Sequence, residues 1–275
     1  MSASTSAPVR TYATYESYRA RHRGVVNNRL LLWGIIGGAS VWSYAGTNFG
    51  FLTLFQGLIE SVRFVFVDLL PPRLDRIPDF IGPMAETLYM SYVGVAMSVI
   101  ISIPLGILAA TNTTVHRSLA VVFKAIIAFI RAVPELVFGL LLVAVIGIGP
   151  LAGTIALGIA GVGIIGKAYT DGIENVDPRE IEGLTAAGAT KFQILLQGVW
   201  PQFKPTFITW SLYQLDLNIR AAAVLGLVGA GGLGYTLITA INLFQFKSAS
   251  MAVFMVFALI IVVESITGAL RRRAL

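Results

Sequence analysis

The chain has 275 residues, 56% of them hydrophobic and 12% charged, with a formal net charge of +6; an ordinary soluble domain carries roughly 25% charged residues. That balance excludes a soluble globular enzyme, and the absence of cysteine excludes disulfides, thiolate zinc sites and thiol catalysis. The excess positive charge lies in short segments between apolar runs, which is the pattern of cytoplasmic loops in a membrane protein and not of a nucleic-acid-binding surface.

Residues 1–29 are polar and basic, with Arg10, Arg19, Arg21, Arg23 and Arg29. A first span is predicted from Leu30 to Thr47. It lacks a small-residue cleavage site, so an uncleaved anchor is expected. Gly34 and Gly38 form a small-xxx-small pair within it. Phe55, Leu58, Ile59, Val62, Phe66 and Leu69 then recur at helical spacing, interrupted by Glu60, Arg63 and Asp68, which predicts an amphipathic interfacial helix. Pro71, Pro72 and Pro78 break the chain after it.

Further spans are predicted over Met84–Ala110, Leu119–Ile146, Leu151–Tyr169, Pro205–Leu227 and Met251–Leu270. Crossing ~30 Å of hydrocarbon takes about 20 apolar residues, and these runs are not the short alternating strands of a membrane barrel. Tyr235–Phe246 is apolar but too short to cross, so it is a candidate re-entrant segment. The expected fold class is therefore an all-α polytopic membrane protein with about six transmembrane helices. With both termini inside, fourteen basic residues fall in cytoplasmic segments and four in external ones, which predicts an N-in, C-in orientation.

Two glycine motifs imitate nucleotide sites. Gly161–Ala168, GVGIIGKA, nearly matches a phosphate-binding loop, but Ala168 has no hydroxyl for magnesium and no strand precedes the segment. Gly229–Gly234, GAGGLG, fits GxGxxG without the strand before it or the acidic residue about 20 positions after it. Helix packing and tight turns account for both better. His22 and His116 are far apart in sequence, and no catalytic triad or carboxylate pair can be assembled. No metal, cofactor or catalytic residue is expected, and the chain is read as a non-enzyme.

Arg131, Glu135, Asp216, Arg220 and Glu264 lie within or near spans. Intramembrane charges normally face a protein interior or a water-filled path. Arg131 with Glu135, and Asp216 with Arg220, are each four residues apart and can meet on one helix face. Arg131, Glu135, Asp216 and Arg220 are candidates for a translocation path that carries anions, although self-neutralisation between packed helices is the commoner role of such pairs. Pro134 favours a bend in the third span.

The polar island between spans four and five, residues 170–204, is the segment that needs explaining. Glu182 is followed six residues on by Gly188 and thirteen further on by Pro201. This spacing resembles the cytoplasmic coupling loop of bacterial ABC importer permeases. Glu182-Gly183-Leu184 stands where that family usually shows Glu-Ala-Ala, and Gly198, Val199 and Trp200 replace its usual Ile-x-Leu. RAVPELVFGLLLVAVIGIGPLAG at 131–153 and NIRAAAVLGLVGAGGLG at 218–234 resemble the phosphonate-import branch, and the likeness extends from about Pro83 to the C-terminus.

The resemblance implies a type I ABC importer permease fold of the methionine-importer-like class, in a bacterial inner membrane. With the charge and hydropathy pattern of the first 82 residues, the expected division is a basic cytoplasmic N-terminus (1–29), a first span with an external amphipathic segment (30–82) and a permease core (83–275). The resemblance further implies four kinds of partner: a second copy of the chain, cytoplasmic ATP-binding subunits that hydrolyse the ATP, an external substrate-binding protein, and membrane lipid. A short helix capped by Asp177, with Pro178 in its first turn, would dock on the ATPase. Asp177, Glu180, Glu182, Gly183, Leu184, Ala187, Gly188 and Ala189 are the expected coupling residues. The cargo implied is a phosphonate or a related phosphorus oxyanion such as phosphite or hypophosphite. Alternatives are an ABC permease for methionine or quaternary amines, and a self-sufficient ion-coupled transporter using Asp216, Arg220 and Glu264.

Overall fold

A computed structural model describes residues 15–47 and 50–274; side-chain surroundings are described from residue 29 onward, apart from Phe51 and Ala274. Every regular element among the described residues is a helix, with no strand among them. The chain divides into two compact units, one ending at Phe64 and the other running from Val65 to Leu275.

The first unit holds α1 (Tyr15–Gly46) and α2 (Phe51–Phe64). The helix containing the predicted first span thus begins well before Leu30; residues 1–14 lie outside the described part. Trp33 and Trp42 on α1 are exposed, and so are Leu52, Phe55, Leu58 and Ile59 on α2. In a chain this apolar, such surface is matched to lipid. A Cβ at Gly34 or Gly38 would have nothing within 4 Å among the described residues, so no close helix approach is seen at the small-xxx-small pair within this unit.

The second unit opens with a π-helical turn (Val65–Leu69) and a 3₁₀ turn (Leu74–Arg76). Both belong to the larger unit. Pro78 occupies the first turn of α3 (Ile77–Ala109), where its missing N–H costs nothing. The α4 helix (Arg117–Ala132) and α5 (Glu135–Ile146) replace the continuous third span. The chain bends by 82° between them, at Val133–Pro134, so the proline bend is a full break. Next comes α6 (Pro150–Glu174), which runs five residues beyond the predicted end of its span.

Two short helices follow, α7 (Pro178–Ala186) and α8 (Lys191–Ile194). A π-helical turn (Leu195–Val199) leads into α9 (Trp200–Gly226). The segment expected to be re-entrant folds as α10 (Gly232–Asn242), and α11 (Phe246–Ala274) closes the chain. By length and composition, residues 74–109, 150–174 and 246–273 can each cross a membrane, and α4 with α5 forms a fourth, bent candidate.

The α6 helix is the centre of the unit. Its Ala152, Ala156, Leu157, Ile165 and Tyr169 are at most 1% exposed. Small residues permit this, because helices in lipid associate through close packing and not through hydrophobic burial. On α3, a stripe of Ser91, Gly94, Ser98, Ser102 and Gly106 is buried. A Cβ at Gly94 would lie 2.9 Å from Leu157 Cβ, and one at Gly106 would lie 3.1 Å from Tyr169 Cβ. Ser98 Oγ donates across the crossing to Gly158 O at 2.8 Å. The glycines of the false phosphate-binding loop serve the same end: Gly161 faces Ser98, Gly163 faces the Arg131 backbone and Gly166 faces Ile127.

The GAGGLG segment also proves structural. A Cβ on Gly226 would lie 2.5 Å from Gly234 Cα, so the end of α9 and the start of α10 meet backbone to backbone. Glu86 accepts from Gly232 N–H (3.1 Å) and Thr87 Oγ1 accepts from Leu233 N–H (2.9 Å), which satisfies two amides at the start of α10.

Candidate functional site

The polar island forms a compact helical knuckle. Asp177 caps α7 by accepting from Arg179 N–H at 2.9 Å, with Pro178 in the first turn. The helix ends at Ala186 with Ala187 as its C-cap, and Gly188 adopts φ +82°. Gly188 N–H donates to Thr185 O at 3.0 Å, and Ala189 N–H donates to Leu184 O at 3.0 Å. These two bonds make a Schellman cap, which needs a left-handed residue that glycine adopts without strain. Thr190 and Gln193 then form a capping box that starts α8.

The knuckle is pinned to the helices on either side of it. Gln202 on α9 donates to Glu180 Oε2 (2.6 Å) and accepts from Asp177 N–H (3.0 Å). Gly198 admits Leu184, whose Cδ1 would lie 2.9 Å from a Cβ at that position. At the end of α6, Glu174 Oε1 accepts from Thr111 N–H and Thr111 Oγ1 (2.8 Å each) and from Lys124 Nζ (2.7 Å). Asn112 Nδ2 donates to Ile173 O at 2.6 Å. Above this level Tyr169 stacks edge-on against Phe203, with ring centroids 5.1 Å apart, and its hydroxyl lies 2.7 Å from Ser211 Oγ. These bonds join the knuckle to α9, and the end of α6 to the α3–α4 connection and to α4.

The expected coupling residues fall into two groups. Leu184 and Glu180 are engaged within the chain, by Gly198 and Gln202. Asp177, Glu182, Gly183, Ala187 and Gly188 are exposed, and Ala189 is half-buried. Gly183 is unusual among them. It sits mid-helix, is exposed, and has nothing within 4 Å of where a Cβ would be. Glycine there costs about 1 kcal/mol relative to alanine, and no contact among the described residues accounts for it. Glu174, Gln202 and Tyr169 were not singled out from the sequence. The signals for them are slight: a lone acid at the end of an apolar run, and an amide beside Pro201.

The intramembrane charges pair differently from the spacing-based expectation. Asp216 does not pair with Arg220. Its Oδ1 accepts from Thr267 Oγ1 (2.7 Å) and its Oδ2 lies 3.6 Å from Arg271 Nη2 on α11. Arg220 pairs with Glu264 at 3.6 Å, also on α11. The antiparallel neighbour offers these groups a better approach than their own helix. Arg131 and Glu135 form no ion pair, because the break at Val133–Pro134 turns their helices apart. Asn218 and Gln214, both nearly fully buried, bond each other at 2.8 Å, and Asn218 Nδ2 donates to Ser91 O at 3.2 Å. Of the four path candidates, the structure therefore ties Asp216 and Arg220 to α11 and leaves Arg131 and Glu135 apart.

Membrane-length apolar helices, an α4–α5 break and a polar knuckle between α6 and α9 make the described residues a polytopic helical membrane protein. Residues 102–275 match the model of the binding-protein-dependent transport system inner membrane components, and the chain belongs to that family. It is a multi-pass protein of the bacterial inner membrane. It is 36% identical over 220 residues to the phosphite transport system permease protein PtxC of Stutzerimonas stutzeri, covering 80% of each chain. It is 35% identical over 246 residues to the phosphate-import permease protein PhnE of Mycolicibacterium smegmatis, covering 89% of this chain and 46% of that longer one. Among solved structures, the inward-facing MetNI methionine ABC transporter is similar with a TM-score of 0.66 at 20% identity, over 74% of this chain and 99% of that one. That likeness shows the fold, that of a type I importer permease.

Proposed function

We propose that this chain is the membrane-spanning subunit of an ATP-driven importer for phosphorus oxyanions, and that the α7 knuckle is its contact with cytoplasmic ATPase subunits. The observation that carries the reading is Gly183: an exposed helical glycine, costly where it stands, on a helix whose other face is pinned to α9. A partner backbone or side chain seated against that position explains it. The partners are a second copy of the chain, two ATP-hydrolysing subunits and an external binding protein. Six spans, with both termini and the knuckle in the cytoplasm, fit the distribution of basic residues. Closure of the ATPases pushes the knuckle, and the Glu174, Tyr169 and Gln202 linkages carry the motion into α3, α4, α6 and α9. Alternating access follows, with ATP hydrolysis performed by the partner.

The phosphorus cargo is favoured over methionine by the relatives, since those at 33–37% identity are named for phosphite, phosphate or phosphonate, whereas a probable D-methionine permease of Vibrio cholerae is 27% identical. The ion-coupled alternative is weakened by the pairing of Asp216, Arg220 and Glu264, which leaves none of the three uncompensated. The reconstituted complex tests the cargo. ATP hydrolysis in proteoliposomes is expected to rise several-fold when the external binding protein is loaded with a phosphonate, phosphite or phosphate. Stimulation by methionine and by none of these anions would refute the assignment.

A further inference from the structure

Between α4 and α6 lies a cleft of about 200 Å³ lined by Lys124, Ile127, Ala128, Arg131, Lys167 and Thr170. The α4 residues are spaced i, i+3, i+4 and i+7, so they share one face. Gly163 lets the two helices approach closely here, because a Cβ on it would lie 2.7 Å from Arg131 N. Three cationic side chains border this one small space. Two of them are compensated, Lys124 by Glu174 at 2.7 Å and Lys167 by Asp171 one turn along α6. Arg131 has no acidic partner among the described residues. The cleft therefore carries one uncompensated positive charge, about 10 Å along α4 from the Lys124–Glu174 pair at 1.5 Å per residue.

An uncompensated arginine on a membrane-embedded helix is costly and normally faces water or a counter-ion. Its planar fork matches a tetrahedral phosphorus oxyanion through two parallel N–H···O bonds. Lys124 and Lys167, each already paired with a carboxylate, add N–H donors beside Arg131 and little net charge. We infer that the α4–α6 cleft is a binding site for a phosphate-type group held by Arg131, Lys167 and Lys124. The group is supplied either as a free oxyanion or as the headgroup of an anionic lipid. The free-anion source rests on the cargo reading above; the lipid source is independent of it.

Two binding measurements on the purified full-length chain separate the sources. In neutral detergent, equilibrium dialysis with radiolabelled inorganic phosphate, competed by phosphite, reports the free anion. In nanodiscs of phosphatidylcholine with or without phosphatidylglycerol, the phosphatidylglycerol retained after detergent dilution reports the headgroup. Saturable binding is expected in at least one of the two. Arg131→Gln should weaken it about tenfold or more, the usual worth of a charge-assisted bond. Arg131→Lys should weaken it less, and Lys247→Gln, outside the cleft, should leave it unchanged. If Arg131→Gln lowers the unfolding temperature, Lys167→Gln carries the same test, since its side chain is about half exposed. Absence of saturable binding in both preparations, or binding indifferent to Arg131→Gln and Lys167→Gln, would overturn the site. Neither measurement uses ATP or a partner subunit, so failure here leaves the coupling role of α7 intact, and the converse holds.

Discussion

Gly183→Trp is expected to reduce uptake about thirtyfold or more while the chain still folds, dimerises and reaches the membrane. Among the described residues nothing lies within 4 Å of where a Cβ at position 183 would be, and the backbone there is helical, so the substitution is introduced without a clash at its root. The indole occupies the position where an ATPase surface would approach. Disrupting the centre of an interface by 2 kcal/mol or more is common for a buried anchor, and 2 kcal/mol corresponds to about thirtyfold. Co-purification of the ATPase subunit should fall in parallel. Gly188→Val should also abolish uptake, but by another route. Residue 188 sits at φ +82°, which a β-branched side chain adopts only under strain, so the end of α7 unravels. Hydrogen exchange separates the two variants: α7 amides exchange faster in Gly188→Val and at the wild-type rate in Gly183→Trp. Gly188→Asn should recover part of the activity, because asparagine tolerates the left-handed conformation. Wild-type uptake in Gly183→Trp would mean that no ATPase surface closes over residue 183.

Arg271→Leu should destabilise the protein by about 3 kcal/mol, in the range observed when a buried ion pair loses one member. The Asp216 side chain is only 9% exposed, and after the substitution its carboxylate keeps the Thr267 Oγ1 hydrogen bond at 2.7 Å but has lost the cation opposite it. Adding Asp216→Asn removes the orphaned charge while leaving an acceptor for Thr267, so the double variant should regain most of the loss. Thermal unfolding in detergent across the four members of this cycle measures the coupling. Additive losses would mean that the α9–α11 contact does not depend on this pair.

What was legible in the sequence divides along physical lines. The apolar runs reported helices because a helix is the way a single segment satisfies its backbone in lipid. Asp177, Pro178 and Gly188 reported the limits of α7 because caps and left-handed turns are local chemistry. The glycines of GVGIIGKA and GAGGLG do not make nucleotide sites, and their neighbours show packing as their use. Sequence and structure part where a pairing depends on residues distant along the chain. Asp216 and Arg220 are compatible with each other by spacing, but α11 brings Thr267, Arg271 and Glu264 nearer, and spacing along one helix cannot report that. Pro134 predicts a bend in the third span; that the chain turns by 82° and parts Arg131 from Glu135 depends on how α5 packs against α6 and α9. Glu174 and Gln202 escaped notice for the same reason: each acts by joining segments far apart in sequence, 63 residues for Glu174 to Thr111.

Because the chain has no cysteine, Glu182→Cys introduces a single thiol on the exposed face of α7, and its labelling by a membrane-impermeant maleimide is the most direct measurement. The expected result is reaction in inside-out vesicles, none in intact spheroplasts, and protection once the ATPase subunits are bound. Labelling from the outside of intact spheroplasts would contradict the cytoplasmic placement of the knuckle and with it the proposed route from ATP to the membrane helices.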